Sequence, residues 1–248
     1  MRTFKFPTAA GWVVLFLSLA GTLWAKDKEK DSSAQAVDSG TFSVLVRGQA
    51  VATETFSVEQ KSGGSTVKSE IKASGGASQR SELQMSATGE LIRYEWHELT
   101  PGKGQLVLVP NDQFLKETTT SNQGDKPAEV PFLLPASTAV LDNNFFIHRE
   151  VLAWRYLAGN CKTSEGKMQC ATNSVDFGAV VPQDHSSMKV SLELKGKEAV
   201  PVHGAQRELM RLNLKSELGD WSLWLDEADH FKVIRILIPE DGTEVVRD

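Results

Sequence analysis

The stretch VPFLLPASTAVLDNNFFIHREVLAWRYLAG, residues 130–159, decides the fold because its second half has helical spacing whereas the rest of the chain alternates. Asp142 is placed to cap a helix and Gly159 to end it. Apolar side chains spread around most of the helical wheel, and the ionisable exceptions are His148, Arg149, Glu150 and Arg155. Such a helix is buried on more than one side. It either forms the core of a curved sheet, or lids an apolar cavity or docks a partner.

The rest of the chain has the pattern of β-structure. Short runs alternate between apolar and polar residues and are separated by turn clusters, which is typical of strands that bury one face. Phe42, Val44 and Val46 share one face of the first run. The other runs lie at 51–59, 79–87, 91–98 and 105–110 before the helical segment, and at 175–183, 188–194, 208–214, 221–225, 231–238 and 244–246 after it.

Roughly a dozen strands with one principal helix predict a mainly β fold. We expect a large curved antiparallel sheet, a half-barrel or open barrel, wrapped around one principal α-helix. Residues 40–248 are predicted to form a single β-rich domain, with a helical insert at about 130–159. The curvature follows from the need to wrap a single helix, since periodicity alone does not fix it.

The N-terminal residues have the pattern of an export signal. Arg2 and Lys5 precede an apolar run at 11–23, and Ala25 separates that run from a charged stretch. This order is typical of a secretory signal peptide, predicted here over residues 1–25. The run is shorter than the roughly 20 residues that a transmembrane helix needs. The sequence therefore predicts a periplasmic or extracellular protein without an integral membrane segment in its mature form.

Charge excludes one class of partner. The chain has 27 Lys+Arg against 32 Asp+Glu, a net charge of −5, and loss of the two cations of the predicted signal peptide makes it −7. An acidic chain lacks the basic face that binds nucleic acid, and it is not drawn to acidic membrane surfaces. Residues 26–39 are polar and without periodicity, so we expect a flexible polar lead there. Cleavage of the signal peptide is predicted after Ala25, and Ala20 is a second candidate position.

The two cysteines also bear on the compartment. Cys161 and Cys170 flank a short stretch with Glu165 and Gly166 at its middle. In an oxidising compartment this spacing predicts a disulfide that closes a hairpin, whereas redox-active pairs usually occur as C-x-x-C. Two cysteines cannot form a four-thiolate zinc site. We predict no metal and no cofactor.

Three stretches carry a resemblance to a known group. They are GTFSVLVRGQAVATETFSVE at 40–59, LPASTAVLDNNFFIHREVLAWRY at 134–156 and WSLWLDEADHFKVIRILIPEDGTEVV at 221–246. Together they resemble the exported bacterial proteins of unknown function that include the domain of unknown function 3108, although the hairpin at 47–50 lacks the second glycine of that group. More distantly, the chain is similar to the half-barrel fold of envelope lipoprotein carriers. The resemblance implies binding of lipid or another apolar molecule, and it implies no catalytic residue.

Aromatic and apolar residues are the predicted ligand contacts. Ile92, Tyr94 and Trp96 are predicted to share one strand face, and the helical segment supplies the other contacts. These residues would line a cavity if the helix covers that face. The predicted ligand-binding residues are Ile92, Tyr94, Trp96, Phe146, Val151 and Trp154. We therefore predict an exported non-enzymatic protein that binds an apolar small molecule or lipid, or acts in envelope maintenance, and whose protein partner is unknown.

Two alternatives have their own sequence features. A structural or protein-interaction module would have a solid interior in place of a cavity. A hydrolase would need acid and base groups in a cleft, and the densest polar group, around Asp226, Asp229 and His230, is the candidate for it. Its position between two predicted strands favours a solvated turn. Glu95 and Glu98 are a weaker carboxylate pair, because their separation is not fixed by the sequence.

Overall fold

The computed structural model describes residues 34–122, 124–164, 167–217 and 219–248. The predicted signal peptide and the first part of the predicted lead lie outside these residues. The described residues form one sheet of fifteen strands, a separate two-stranded hairpin and one α-helix. The mainly β prediction is confirmed.

The strands and the helix follow the chain in a simple order. Before the helix come β1 (Gln35–Val46), β2 (Gln49–Lys61), β3 (Gly64–Ala73), β4 (Ser78–Ser86), β5 (Leu91–Thr100), β6 (Gln105–Asn111), β7 (Phe114–Thr120), β8 (Ala128–Phe132) and β9 (Ala139–Val140). The helix α1 (Ile147–Asn160) is followed by β10 (Cys161–Ser164), β11 (Lys167–Cys170), β12 (Val175–Val181), β13 (Ser186–Val202), β14 (Ala205–Ser216), β15 (Gly219–Asp226), β16 (Lys232–Ile238) and β17 (Thr243–Arg247). Short 3-10 turns occupy Pro182–Asp184 and Glu227–Asp229.

The large sheet is built from two meanders joined through the first and last strands. Its order is β8-β7-β6-β5-β4-β3-β2-β1-β17-β16-β15-β14-β13-β12-β9. Neighbouring strands are antiparallel except β9, which runs parallel to β12. The edge strands β8 and β9 do not pair with each other, so the sheet is not closed into a barrel.

Contacts with α1 show that the sheet is strongly curved. The Tyr94 ring on β5 lies 5.7 Å from the His148 ring, while the Tyr156 hydroxyl accepts the backbone N–H of Leu194 on β13 at 3.2 Å. These two strands are nine positions apart in the sheet. A flat sheet would separate them by about 43 Å, several times the width of a helix, which is about 10–12 Å. The sheet therefore wraps around α1, as predicted.

The helix is buried as its apolar surface predicts, but its ends differ from the prediction. Phe146, not Asp142, is the residue that precedes the first helical turn, and the helix continues one residue past Gly159 to Asn160. The earlier part of the predicted helical insert is strand and irregular chain. The three ionisable residues of the first turn, His148, Arg149 and Glu150, are all buried.

The first strand begins earlier than predicted. β1 starts at Gln35 and not near Gly40, because Gln35 to Ser39 pair with the second half of β2. Asp38 is buried in this added part and binds Arg247 near the other end of the chain. The end of the predicted lead therefore belongs to the sheet.

A second, smaller apolar cluster lies on the outer face of the sheet. A bulge between Leu194 and Gly196 turns the second half of β13 over, so its apolar side chains point outward. The buried members of the cluster are Val200, Val202, Leu209, Trp224 and Ile234. This cluster explains why β16 is apolar on both faces.

The short hairpin of β10 and β11 carries the disulfide. Cys161 and Cys170 face each other in its register and are joined by a disulfide bond. Both side chains pack against the main core. The predicted pairing is confirmed.

Candidate ligand pocket

One end of the curved sheet holds an open pocket of about 570 Å³. The ends of β1, β2, β3, β4, β15, β16 and β17 form its walls on one side, and the irregular chain just before α1 forms the other. Its volume lies within the roughly 300–1,000 Å³ of pockets that hold small organic ligands.

Most of the pocket surface is apolar. The alternation of each strand places small and branched side chains on the inner face, where Phe146 and Trp221 add aromatic surface. The apolar lining consists of Val44, Val46, Val51, Ala52, Ile71, Ala73, Ala77, Phe146, Trp221 and Ile238. An apolar molecule in this pocket would exchange water contacts for contacts with these side chains.

A chain of side-chain amides borders the apolar wall. Trp96 donates its indole N–H to the side-chain oxygen of Gln79 at 3.0 Å, and the Asn144 amide nitrogen donates to the same oxygen at 3.0 Å. Because an indole N–H can only donate, these contacts fix the orientation of both amides. Asn143 likewise donates to the Asp184 carboxylate at 2.6 Å. Among the described residues, the side-chain oxygens of Asn143 and Asn144 receive no donor.

Two exposed carboxylates also line the pocket. Glu240 accepts the backbone N–H of Asp220 at 2.9 Å, and Asp241 accepts that of Thr243 at 2.8 Å. Neither makes an ion pair within the described part of the chain. Arg47 lies near, since its Cγ is 3.2 Å from where a Cβ on Gly242 would sit, but it does not line the pocket. The described lining contains no lysine, arginine or histidine.

The wall next to the helix is held by Glu54 on β2. Its carboxylate accepts the backbone N–H groups of Phe146 at 2.7 Å and Ile147 at 3.3 Å, and the hydroxyl of Ser69 at 2.7 Å. A helix start has unpaired N–H groups and a positive dipole end, so a carboxylate stabilises it there. Burial raises the pKa of Glu54 to about 7, although these hydrogen bonds oppose that shift.

Arg149 ties the same segment to the other side of the pocket. Its guanidinium donates to the backbone oxygens of Asp142 and Phe145, the latter at 2.8 Å, and lies 4.5 Å from the centre of the Trp221 ring. The Asp142 carboxylate accepts the Tyr94 hydroxyl. Burial lowers the pKa of Arg149 to about 10 and raises those of Asp142 and Tyr94. The chain from Asp142 to Phe146 is therefore anchored before any ligand arrives.

Of the six predicted ligand contacts, only Phe146 lines this pocket. Trp96 reaches it indirectly by orienting Gln79. Tyr94 is fully buried beside Asp142, and Trp154 donates its indole N–H to the Phe231 backbone oxygen at 3.0 Å.

Ile92 lies on the outer face of the sheet. The prediction that it shares a face with Tyr94 and Trp96 is wrong, because a bulge between Leu91 and Arg93 leaves Ile92 without a partner on β4. The extra residue reverses the alternation, so Leu91 is buried and Ile92 is 46% exposed.

Val151 borders a different and much smaller cavity, of about 20 Å³. His148 also lines it, is fully buried, and has no hydrogen-bond partner on either ring nitrogen. Burial and the neighbouring Arg149 lower the pKa of His148 to about 3. The cavity has room for about one water molecule.

The residues of the hydrolase alternative are used in a turn. Asp226 accepts the backbone N–H of Ala228 and pairs with Arg207, and Asp229 pairs with Lys232 at 3.0 Å. His230 occupies the left-handed backbone region at φ 53°. These contacts fit the solvated turn that their position between strands favours.

The weaker carboxylate pair has local partners of its own. Glu95 pairs with Arg93 and contacts His97 at 3.5 Å, while Glu98 accepts the backbone N–H of Gly104 at 3.4 Å. Each carboxylate is thus bound to groups close to it in sequence.

The sequence interpretation missed most of the pocket lining. Val44 and Val46 were correctly placed on one strand face, but which end of that face remains open depends on the sheet's curvature. Asn143 and Asn144 carried a usable signal, since two polar amides directly precede an apolar helix. Glu54 carried a signal too, because a position two residues before Phe56 and four before Val58 shares their buried face of β2.

Comparisons with protein-family models, with curated proteins and with solved structures found no match. In the part of the chain that the structure describes, no cluster of three or more His, Cys, Asp or Glu residues could hold a metal ion. No described helix has both the length and the apolar character to cross a membrane.

Proposed function

We propose that this protein is exported and binds an apolar ligand, such as a lipid, in the pocket at the end of its curved sheet. The observation that carries the proposal is the pocket itself, about 570 Å³ lined mainly by apolar side chains. Binding without catalysis is the simplest use of such a site. The resemblance of the sequence to half-barrel lipid carriers points to the same ligand class, and a role in envelope maintenance is part of this proposal.

Two features support this assignment. Glu54 and Arg149 hold the chain before α1 in place, so a ligand need not order that wall at the expense of affinity. The disulfide between Cys161 and Cys170 is of the kind that persists in oxidising compartments, which agrees with export.

A titration with a neutral apolar dye tests the proposal. N-phenyl-1-naphthylamine should bind the purified protein saturably, with a stoichiometry of one, and change the fluorescence of Trp221 in the lining. Ala77→Trp should fill part of the pocket and weaken binding at least tenfold. Ala128→Trp, at an exposed alanine of β8, is the matched control and should not.

Native mass spectrometry of the protein as purified from cells gives an independent reading. Bound apolar molecules that are absent from the Ala77→Trp variant would support the proposal. Absence of saturable dye binding together with absence of any co-purified molecule would overturn it.

A further inference from the structure

The pocket has an unequal balance of hydrogen-bonding groups. Its free side-chain polar atoms are mainly acceptors: the side-chain oxygens of Asn143 and Asn144, and the carboxylates of Glu240 and Asp241, beside the hydroxyls of Ser78 and Thr243, which can donate or accept. Gln79 contributes one amide N–H₂ group whose acceptor is not found among the described residues. This excess of acceptors restricts the chemistry of a ligand's polar head, whereas the apolar wall requires only that the rest of the ligand is apolar.

The orientations of the Asn143 and Asn144 side-chain amides are fixed by neighbouring groups that can only donate or only accept a hydrogen bond. The indole N–H of Trp96 can only donate, so it holds the Gln79 oxygen and, through it, the amide nitrogen of Asn144. The Asp184 carboxylate holds the Asn143 nitrogen at 2.6 Å in the same way. Neither asparagine can turn its N–H₂ group to a ligand without losing these hydrogen bonds.

Charge points in the same direction. Glu240 and Asp241 lie on the rim without an ion-pair partner in the described residues, and no cationic side chain lines the pocket there. A ligand carboxylate or phosphate would meet like charge and oxygen acceptors, and this juxtaposition costs binding free energy. A group with several donors and a positive charge would meet complementary partners.

We propose that the pocket selects an amphiphile with a cationic amine head, with its alkyl body against the apolar wall and its ammonium at the polar rim, where Asn143, Asn144, Glu240 and Asp241 offer acceptors. An ammonium has three donors and no acceptor, which matches the free atoms of this rim. The inference rests on the proposed function, since it names the ligand class of the same pocket. Anionic lipids and free fatty acids are disfavoured by the same groups.

Three ligands with the same alkyl chain length and different head groups separate the contribution of the head group to binding from that of the chain. Isothermal titration calorimetry at physiological salt, below the micellar concentrations, compares dodecylammonium, dodecanol and dodecanoate on the purified protein. Dodecylammonium should bind at least tenfold more tightly than dodecanoate, with dodecanol between them. Equal affinities, or tighter binding of dodecanoate, would overturn the amine selectivity and leave an apolar binding site in place. Failure of all three to bind would overturn the proposed function as well.

Two double variants that each remove two negative charges separate the effect of the rim carboxylates on ligand preference from the effect of the protein's net charge. Glu240→Gln with Asp241→Asn should reduce the preference for dodecylammonium over dodecanoate at least fivefold. Asp112→Asn with Glu208→Gln removes two exposed carboxylates outside the pocket and should keep the preference. An equal loss in both double variants would show that net charge alone sets the preference, and would overturn the inference.

Discussion

Glu54 accepts the backbone N–H of Phe146 at 2.7 Å, across 92 residues of chain, and so caps the only α-helix in the described residues from a neighbouring strand. Phe146 itself has no side-chain oxygen with which to cap the helix, and no side chain of the preceding segment caps it. The cap is therefore tertiary. It fixes the helix start against β2 and places Phe146 in the wall of the pocket.

This cap should give stability a specific pH dependence. Burial raises the pKa of Glu54 from 4.5 to about 7, so the folded state holds the proton more tightly than the unfolded chain. Its contribution to the unfolding free energy therefore falls as pH rises through that interval. Glu54→Gln is neutral throughout, and its stability relative to wild type should rise by about 2–3 kcal/mol from pH 5 to pH 8.

Urea unfolding of both proteins at the two pH values measures this difference. Glu59→Gln, on the same strand but with a partly exposed side chain, is the matched control. A pH-independent gap between Glu54→Gln and wild type, or an equal rise in the control, would contradict a protonation effect at Glu54.

His148 should act with the opposite sign. Burial lowers the pKa of His148 from 6.5 to about 3, so the unfolded chain takes up a proton that the folded protein excludes. Its contribution to the unfolding free energy is present above pH 6.5 and is lost as pH falls toward 3. His148→Leu removes this loss, and its stability relative to wild type should rise by about 2 kcal/mol from pH 7 to pH 5.

The same variant tests the unpartnered state of the imidazole. Neither ring nitrogen of His148 has a hydrogen-bond partner, so Leu at this position should not destabilise the protein by more than about 1 kcal/mol at pH 7. Thermal unfolding followed by far-UV circular dichroism measures the stability of the variant and of wild type at both pH values. His230→Asn, at an exposed turn, controls for loss of an imidazole elsewhere; a gain of similar size there would count against the interpretation.

Local patterns predicted the fold because burial of one face imposes periodicity. The alternation of Phe42, Val44 and Val46 marks the inner face of β1, and the continuous apolar surface of α1 marks a helix enclosed by a sheet. The disulfide followed from the spacing of Cys161 and Cys170. Each of these signals lies within one element or one hairpin.

The candidate site was harder because it depends on long-range geometry. One extra residue at Ile92 reverses the face of a strand, and the bulge leaves no mark in the local pattern of hydrophobicity. The roles of Glu54 and Arg247 come from partners far along the chain, which periodicity does not report. The sequence placed Phe146 in the helical segment, but it could not show that Trp154 binds the backbone at Phe231, in the turn before β16.

Arg247 should be a major stabilising residue of the inner ion network. Its guanidinium contacts Asp38 at 2.7 Å and Glu150 at 2.7 Å, and both carboxylates are buried. Burial raises the pKa of Glu150 well above its usual value. Burial likewise opposes ionisation of Asp38, yet the hydrogen bonds to Arg247 and Glu150 hold the pKa of Asp38 below its usual value. Arg247→Met would leave the Glu150 carboxyl without its cationic partner and Asp38 with Lys232 alone, at 3.5 Å, and we expect a loss of about 3–5 kcal/mol in unfolding free energy.

A surface pair provides the comparison for Arg247. Arg93 pairs with Glu95 at a site where the Arg93 side chain is 41% exposed, so Arg93→Met should cost no more than about 1 kcal/mol. Guanidinium chloride would screen these charges, so urea denaturation is the suitable measurement. Similar losses in the two variants would contradict a special role for the buried network.

The disulfide should stabilise the fold without affecting the pocket. Cys161 and Cys170 close a short loop in a hairpin outside the main sheet, and neither lines the pocket. Replacement of both by Ser should lower the unfolding free energy by about 2.7 kcal/mol, from the chain entropy regained by the unfolded state. Cys161→Ser alone should lose a similar amount, because either change breaks the bond. A reducing agent should destabilise wild type to the same extent and leave the double variant unchanged in urea unfolding, while N-phenyl-1-naphthylamine binding stays the same in all of them. Weakened dye binding in the folded double variant would show that the hairpin supports the pocket after all.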